Sequence, residues 1–311
     1  MGGSGGIFSG PGRSPAEVAQ KLLAGATAEQ TAKFKTELSA KLVSLLGDVN
    51  QHDTELTSER LSELKYLLSD QIEGSIDTLF GGSVAKHTYV DGISDIDSML
   101  IINGSSLEDL KPDTVLARVS KHLSDGLPKG VRVEKGAVAV TVTYLDGTQI
   151  QLVPSLRVGN AAMKVPAWGS NEWSTINPIQ FCDGLTKRNS ECNQKLIPTL
   201  KIVKVINASL PEGSRLSGYH IESIGVEAFR NYGGDKTLVG MLPHFFAHAK
   251  TAVLNPMVDR TGQSVHVDSN LGEQNSSQRV VLSHVLDRVV RRMQSAAAAG
   301  SVDRWMDLLG D

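Results

Sequence analysis

The chain has 311 residues, of which 40% are hydrophobic, and a formal net charge of -3. That length and apolar content support one large or two intimately packed domains. The slightly acidic balance excludes a protein that holds nucleic acid through a general basic field, and it favours small phosphorylated ligands. Two cysteines, Cys182 and Cys192, form no CxxC pair, which points to a reducing compartment and ordinary thiols.

Residues 1–15, MGGSGGIFSGPGRSP, are rich in Gly and Ser and lack the basic and apolar regions of a secretion signal. They read as a disordered leader. From there to Leu79 apolar residues recur at helical spacing, as in Leu61, Leu64, Leu67 and Leu68. After Gly81-Gly82, the segment SDIDSMLIIN reads as a buried strand, residues 108–125 as a helix, and VRVEKGAVAVTVTYLDGTQIQLVPSL as strands closed by an Asp146-Gly147 hairpin. Beyond Pro166 the β character fades. The stretches NQKLIPTLKIVKVINASL, HIESIGVEAFRNY, KTLVGMLPHFFAHAKTAVL and SSQRVVLSHVLDRVVRRMQSAAAA read as helices. The longest strongly apolar stretch, AVAVTVTYL, is far short of the roughly 20 residues of a membrane helix. A soluble, cytoplasmic protein with no membrane partner is the expectation.

The fold class expected is α+β. Residues 16–165 would hold N-terminal helices and a core built on a mixed sheet, with one N-terminal helix buttressing it. Residues 166–311 would form a helical lobe closing a cleft.

Asp95 and Asp97 stand at i and i+2 at the start of an apolar strand, so their carboxylates share a face and can share divalent cations. Such a metal site suits in-line attack on a nucleoside triphosphate, because the cations neutralise charge on the attacking and leaving oxygens. Upstream, Gly82 and Ser83 combine a backbone that can approach phosphates closely with a hydroxyl and helix-start amides.

Together these residues carry a resemblance. GGSVAKHTYVDGISDIDSMLII is similar to the GS-then-SDxD signature of DNA polymerase β-type nucleotidyltransferases, and in particular of the cGAS/DncV-like enzymes that make cyclic oligonucleotide signals in antiphage defence. QLVPSL, WSTINP, SGYHIESI, and VDRTG followed by VDSNLG fall in that family's order. The resemblance implies a polymerase β-like core with a helical C-terminal lobe, nucleoside triphosphates as substrates, and Mg²⁺ or Mn²⁺ as cofactor, two ions per site. It implies Asp95 and Asp97 as metal ligands and Gly82 and Ser83 on the triphosphate. Lys201 and Lys204, one helical turn apart, would reach phosphate, and Tyr219 would lie near the base. A downstream effector would be reached through the nucleotide product; no nucleic acid activator is evident.

One position departs from the family. Gln151 stands where the third carboxylate is expected. A glutamine carbonyl can ligate Mg²⁺, but it brings no negative charge and cannot accept the proton of an attacking hydroxyl. Asp146, five residues away along the strand at about 3.3 Å each, lies roughly 16 Å off; Asp91 and Glu134 are other candidates. Gln151 is either a natural variation that slows the site or converts it to nucleotide sensing, or a substitution introduced to trap substrate. A transferase acting on a protein or tRNA would share the same GS/SDxD block.

Other features read as structural. His244 and His248 at i and i+4 lack further ligands and are taken as ordinary helix histidines. Arg288, Arg291 and Arg292 follow the helix C-terminal charge preference, and Trp168, Trp173 and Trp305 are packing residues.

Overall fold

The computed structural model describes residues 15–50, 54–80, 82–90, 93, 96–159, 162–167, 169–259 and 267–310. The leader expected over residues 1–15 falls outside them, apart from Pro15. So do Asp91, Asp95 and Trp168.

Strands β1 (Asp77–Phe80), β2 (Ile96–Ile101), β3 (Arg132–Lys135), β4 (Val140–Thr143), β5 (Gln149–Val158), β6 (Ala162–Pro166) and β7 (Trp173–Ile176) form one mixed sheet. Its main path runs β1-β2-β5-β4-β3; β6 pairs with β5 and β7 with β6. The β2–β5 pair is parallel and the others are antiparallel. The turn between β4 and β5 is the one expected: Gly147 takes φ 87°, and the Tyr144 amide donates to the Thr148 carbonyl at 2.9 Å. β character therefore continues past Pro166 into β7, whose short mixed sequence WSTI gives little strand signal.

Two helices cover one face of this sheet. In α2 (Thr54–Gln71), Leu61, Leu64 and Leu68 are buried at helical spacing; in α4 (Pro112–Gly126), Val115, Leu116, Val119 and Leu123 are. They share a core with Ile96, Leu100, Val140, Val142, Ile150 and Leu152, the inward residues of β2, β4 and β5. A four-residue helix, α3 (Gly82–Ala85), links β1 to the segment before β2.

The second core is helical. It is built from α5 (Pro178–Glu191), α6 (Leu196–Ala208), α7 (Gly218–Ala228), α8 (Leu238–Ala252), α9 (Ser277–Ala298) and α10 (Val302–Met306). The long N-terminal helix α1 (Pro15–Asp48) joins this core through Phe34, Leu38 and Leu42. Hence α2, not α1, buttresses the sheet, while α1 serves the helical side. Helix α5, which begins at Pro178 after an Asn177 cap whose side chain accepts from the Gln180 amide, is absent from the sequence reading. No helix among the described residues is long and apolar enough to cross a membrane.

Candidate active site

The parallel pairing of β2 and β5 sets Asp97 opposite Gln151. In-register partners share a sheet face, so both half-buried side chains stand on the face away from α2 and α4. The row continues from Gln151 to Thr141 on β4 and from Thr141 to Glu134 on β3. At about 4.8 Å per strand, Glu134 is roughly 10 Å from Gln151 and roughly 14 Å from Asp97, too far to share an ion with Asp97. Asp146 is also engaged elsewhere: Arg60 donates to its Oδ2 at 2.8 Å and holds its carboxyl down at about 2. Neither acid replaces the missing one, and Asp91 lies outside the described residues. Among the described residues no group of three or more His, Cys, Asp or Glu side chains converges as a metal cage.

Ser83 lies in α3, and its hydroxyl is buried without a hydrogen-bond partner among the described residues. An unsatisfied buried hydroxyl costs about 1–3 kcal/mol, and a ligand oxygen would satisfy it. The loop behind it is firmly tied. His87 takes φ 57°, turning the chain so that the Thr88 amide donates to the Ser83 carbonyl at 2.9 Å.

Thr88 is fully buried and meets a charged cluster from the helical side. Its hydroxyl donates to Glu222 Oε1 on α7, and Lys86 is ion-paired with Glu222 Oε2. Lys204 on α6 donates to Glu222 Oε1 at 3.0 Å, to the Thr88 carbonyl at 2.9 Å and to the Thr88 hydroxyl at 3.3 Å. Burial and the two ammoniums pull in opposite directions on Glu222, and its carboxyl ends below the usual range; burial lowers Lys204 despite its carboxylate partner. Lys201, one turn earlier, is less buried and donates to Asn50 Oδ1. The two lysines expected to act together therefore sit in different settings, and Lys204 is an internal tie between the segment after α3 and helix α7.

Tyr219 donates its hydroxyl to Asp259 at 2.7 Å and meets Phe181 edge to face at 5.0 Å. Lys86 Nζ lies 5.4 Å from the Tyr219 ring and 5.2 Å from Phe181. The sequence reading missed Lys86, Thr88, Phe181, Glu222 and Asp259. The available signal was Glu222 itself, a carboxylate inside the otherwise apolar run of HIESIGV.

A deeper network braces the segment that carries Asp259. Arg279, fully buried, donates to Asp268 Oδ2 at 2.6 Å and to the carbonyls of Val253, Asn255 and Gly272 at 3.0 to 3.1 Å. His220 lies 3.6 Å from the same carboxylate. Burial, with Arg279 opposing Asp268, pushes His220 from 6.5 down to about 4. The folded state thus disfavours a proton that the unfolded state takes up readily. Stability from this histidine is complete above about 6.5 and falls as pH drops towards 4, by about 3 kcal/mol. Asp268, whose carboxyl is held low by Arg279, loses stability in the same direction at lower pH. The thermal midpoint should therefore fall steeply between pH 6.5 and 4 in calorimetry, and His220→Gln should flatten that upper part of the profile.

The remaining candidates are engaged in packing, hydrogen bonds or ion pairs. His244 donates to the Ala228 carbonyl at 2.8 Å and packs on Phe229 and Tyr232. Lys250 and Arg291 both pair with Asp287, and Arg292 donates to the Asp307 carbonyl, so the basic cluster of α9 is partly neutralised. Trp305 is buried, and Trp173 donates to the Leu110 carbonyl at 3.1 Å. Burial raises both thiols, Cys182 and Cys192, away from nucleophilic use.

Residues 37–189 match the family model of the Second Messenger Oligonucleotide or Dinucleotide Synthetase domain. No curated protein matches the chain in sequence. Among solved structures, E. coli MS115-1 CdnC with ATP is similar at TM-score 0.62 and 17% identity, over 91% of this chain and 97% of its own. The Bradyrhizobium diazoefficiens CD-NTase CdnG in complex with GTP is similar at TM-score 0.68 and 16% identity, over 88% and 95%. Vibrio cholerae DncV cyclic AMP-GMP synthase, in complex with a linear intermediate, is similar at TM-score 0.64 and 11% identity, over 96% and 91%.

Proposed function

We propose, from the match of residues 37–189 to the Second Messenger Oligonucleotide or Dinucleotide Synthetase domain and from the nucleotidyltransferase fold shared with the solved structures, that the chain joins nucleoside triphosphates into a cyclic or linear oligonucleotide second messenger. A ribose hydroxyl attacks an α-phosphate and pyrophosphate leaves. The product would act on a downstream effector in antiviral defence. The proposed division is a sheet-based core running from α2 to β7, past the boundary expected near residue 165, and a helical lobe built from α1 and the helices from α5 onward.

The observation that carries this reading is the sheet register, Asp97 beside Gln151 on the face away from α2 and α4. Asp95 and Asp97 would hold Mg²⁺ or Mn²⁺, with the Gln151 carbonyl as a neutral donor towards a second ion. Bound there, a divalent cation supplies charge neutralisation at the phosphates. Gly82 and Ser83 would seat the triphosphate, an assignment supported by the orphaned Ser83 hydroxyl. Tyr219, held by Asp259 and Phe181, would lie against the base. Lys201 stays a phosphate candidate on α6, whereas Lys204 contributes by fixing the Thr88 segment.

Gln151 also favours a second reading, a nucleotide-binding sensor with little turnover, since it cannot take the proton from the attacking hydroxyl. Calorimetric titration tests what both share: ATP or GTP should bind in a Mg²⁺-dependent manner, and Asp97→Asn should lose the Mg²⁺ dependence. Absence of nucleotide binding at millimolar concentration would contradict both.

A further inference from the structure

Among the described residues the ion pairs around Glu222 are unbalanced. Two ammoniums, Lys86 and Lys204, share one carboxylate, and the side chains are only 11%, 5% and 1% exposed. Among the described residues no other carboxylate forms an ion pair with either lysine. Asp97 acts on Lys204 from further off, but in a metal-loaded site its charge would be taken up by the cation. A buried net positive charge is costly unless an anion meets it.

The two lysines are not equivalent. Lys204 directs its three N–H donors at Glu222 and at both oxygens of Thr88. Lys86 has the Glu222 contact and, beyond it, the faces of Phe181 and Tyr219, which satisfy no N–H donor as a hydrogen bond would. It is also the more exposed of the two and follows α3 directly, three residues after the buried, unpartnered Ser83 hydroxyl. Surplus charge and an orphaned hydroxyl on one short segment both call for an anionic oxygen ligand.

We propose that Lys86 is a phosphate-binding residue, held on Glu222 in the free protein and donating to the triphosphate of a bound nucleotide together with Ser83, while Lys204 alone then balances Glu222. This inference rests on the nucleotide reading above and assigns it a residue. It sets an unusual expectation: the lysine is dispensable for folding, because its removal leaves a balanced Lys204–Glu222 pair.

The test compares the native protein with Lys86→Met, using the thermal midpoint without ligand and titration with Mg²⁺-ATP, tripolyphosphate and adenosine. The variant should keep or raise the unliganded midpoint and bind ATP and tripolyphosphate about 10- to 100-fold more weakly, the size of a charge-assisted hydrogen bond. Adenosine binding should be unchanged. Lys204→Met, the contrast, should lower the midpoint. A Lys86→Met protein that unfolds, or that folds and binds ATP within about twofold of native, overturns the inference alone. Native protein that takes up neither ATP nor tripolyphosphate overturns the nucleotide reading together with it.

Discussion

Gln151→Asp is expected to raise the rate of nucleotidyl transfer by about 10²- to 10⁴-fold, the usual worth of a positioned general base. Two losses are combined in the glutamine. The amide carbonyl adds no charge to the cation site, and it cannot receive the proton of the attacking ribose hydroxyl. The register places the substituted carboxylate directly across from Asp97, one strand spacing away, while Glu134 and the Arg60-bound Asp146 cannot stand in for it. Aspartate is one methylene shorter than glutamine and the position is half-buried, so the change introduces no overpacking. Pyrophosphate release measured for both proteins checks this. An affinity for ATP that moves little while turnover rises would locate the effect in the transition state. Equal rates in the two proteins would mean that the proton leaves by another route.

Glu222→Ala should cost about 3–5 kcal/mol of stability, because it leaves two ammoniums and the Thr88 hydroxyl without their shared acceptor in a buried site. That is a large part of the 5–15 kcal/mol that holds a typical domain folded. Adding Lys86→Met to the same chain should restore part of the loss, since it removes one of the stranded charges; the two changes are then non-additive, as expected for groups in contact. Denaturant unfolding of the single and double variants measures this. A Glu222→Ala protein within about 1 kcal/mol of native would show that the cluster contributes little.

The signals that point to the candidate site are local. The i, i+2 aspartates, the Gly-Ser pair and the Asp-Gly turn each depend on neighbouring residues, and the turn in turn fixes how β5 returns to the sheet. Gln151 was marked by the resemblance of QLVPSL to a family strand, and the register sets it across from Asp97. What escaped depends on tertiary contacts. Lys201 and Lys204 look alike at helical spacing, yet only Lys204 points under α7 to Glu222. The apolar stripe of α1 says that it is covered but not by what, and it is covered by the helical core. The brevity and mixed composition of WSTI hid β7, and the polar residues of α5 concealed its buried stripe, Phe181 and Leu185. Asp95, central to the sequence argument, lies outside the described residues.

The most direct test of the central claim is to incubate the native chain and Gln151→Asp with all four labelled nucleoside triphosphates and Mg²⁺ or Mn²⁺, then identify phosphatase-resistant products by mass spectrometry. The account predicts oligonucleotides built from the supplied nucleotides, in trace or slow yield from the native chain and abundantly from the variant. Nucleotide binding without any oligonucleotide from either protein would contradict it.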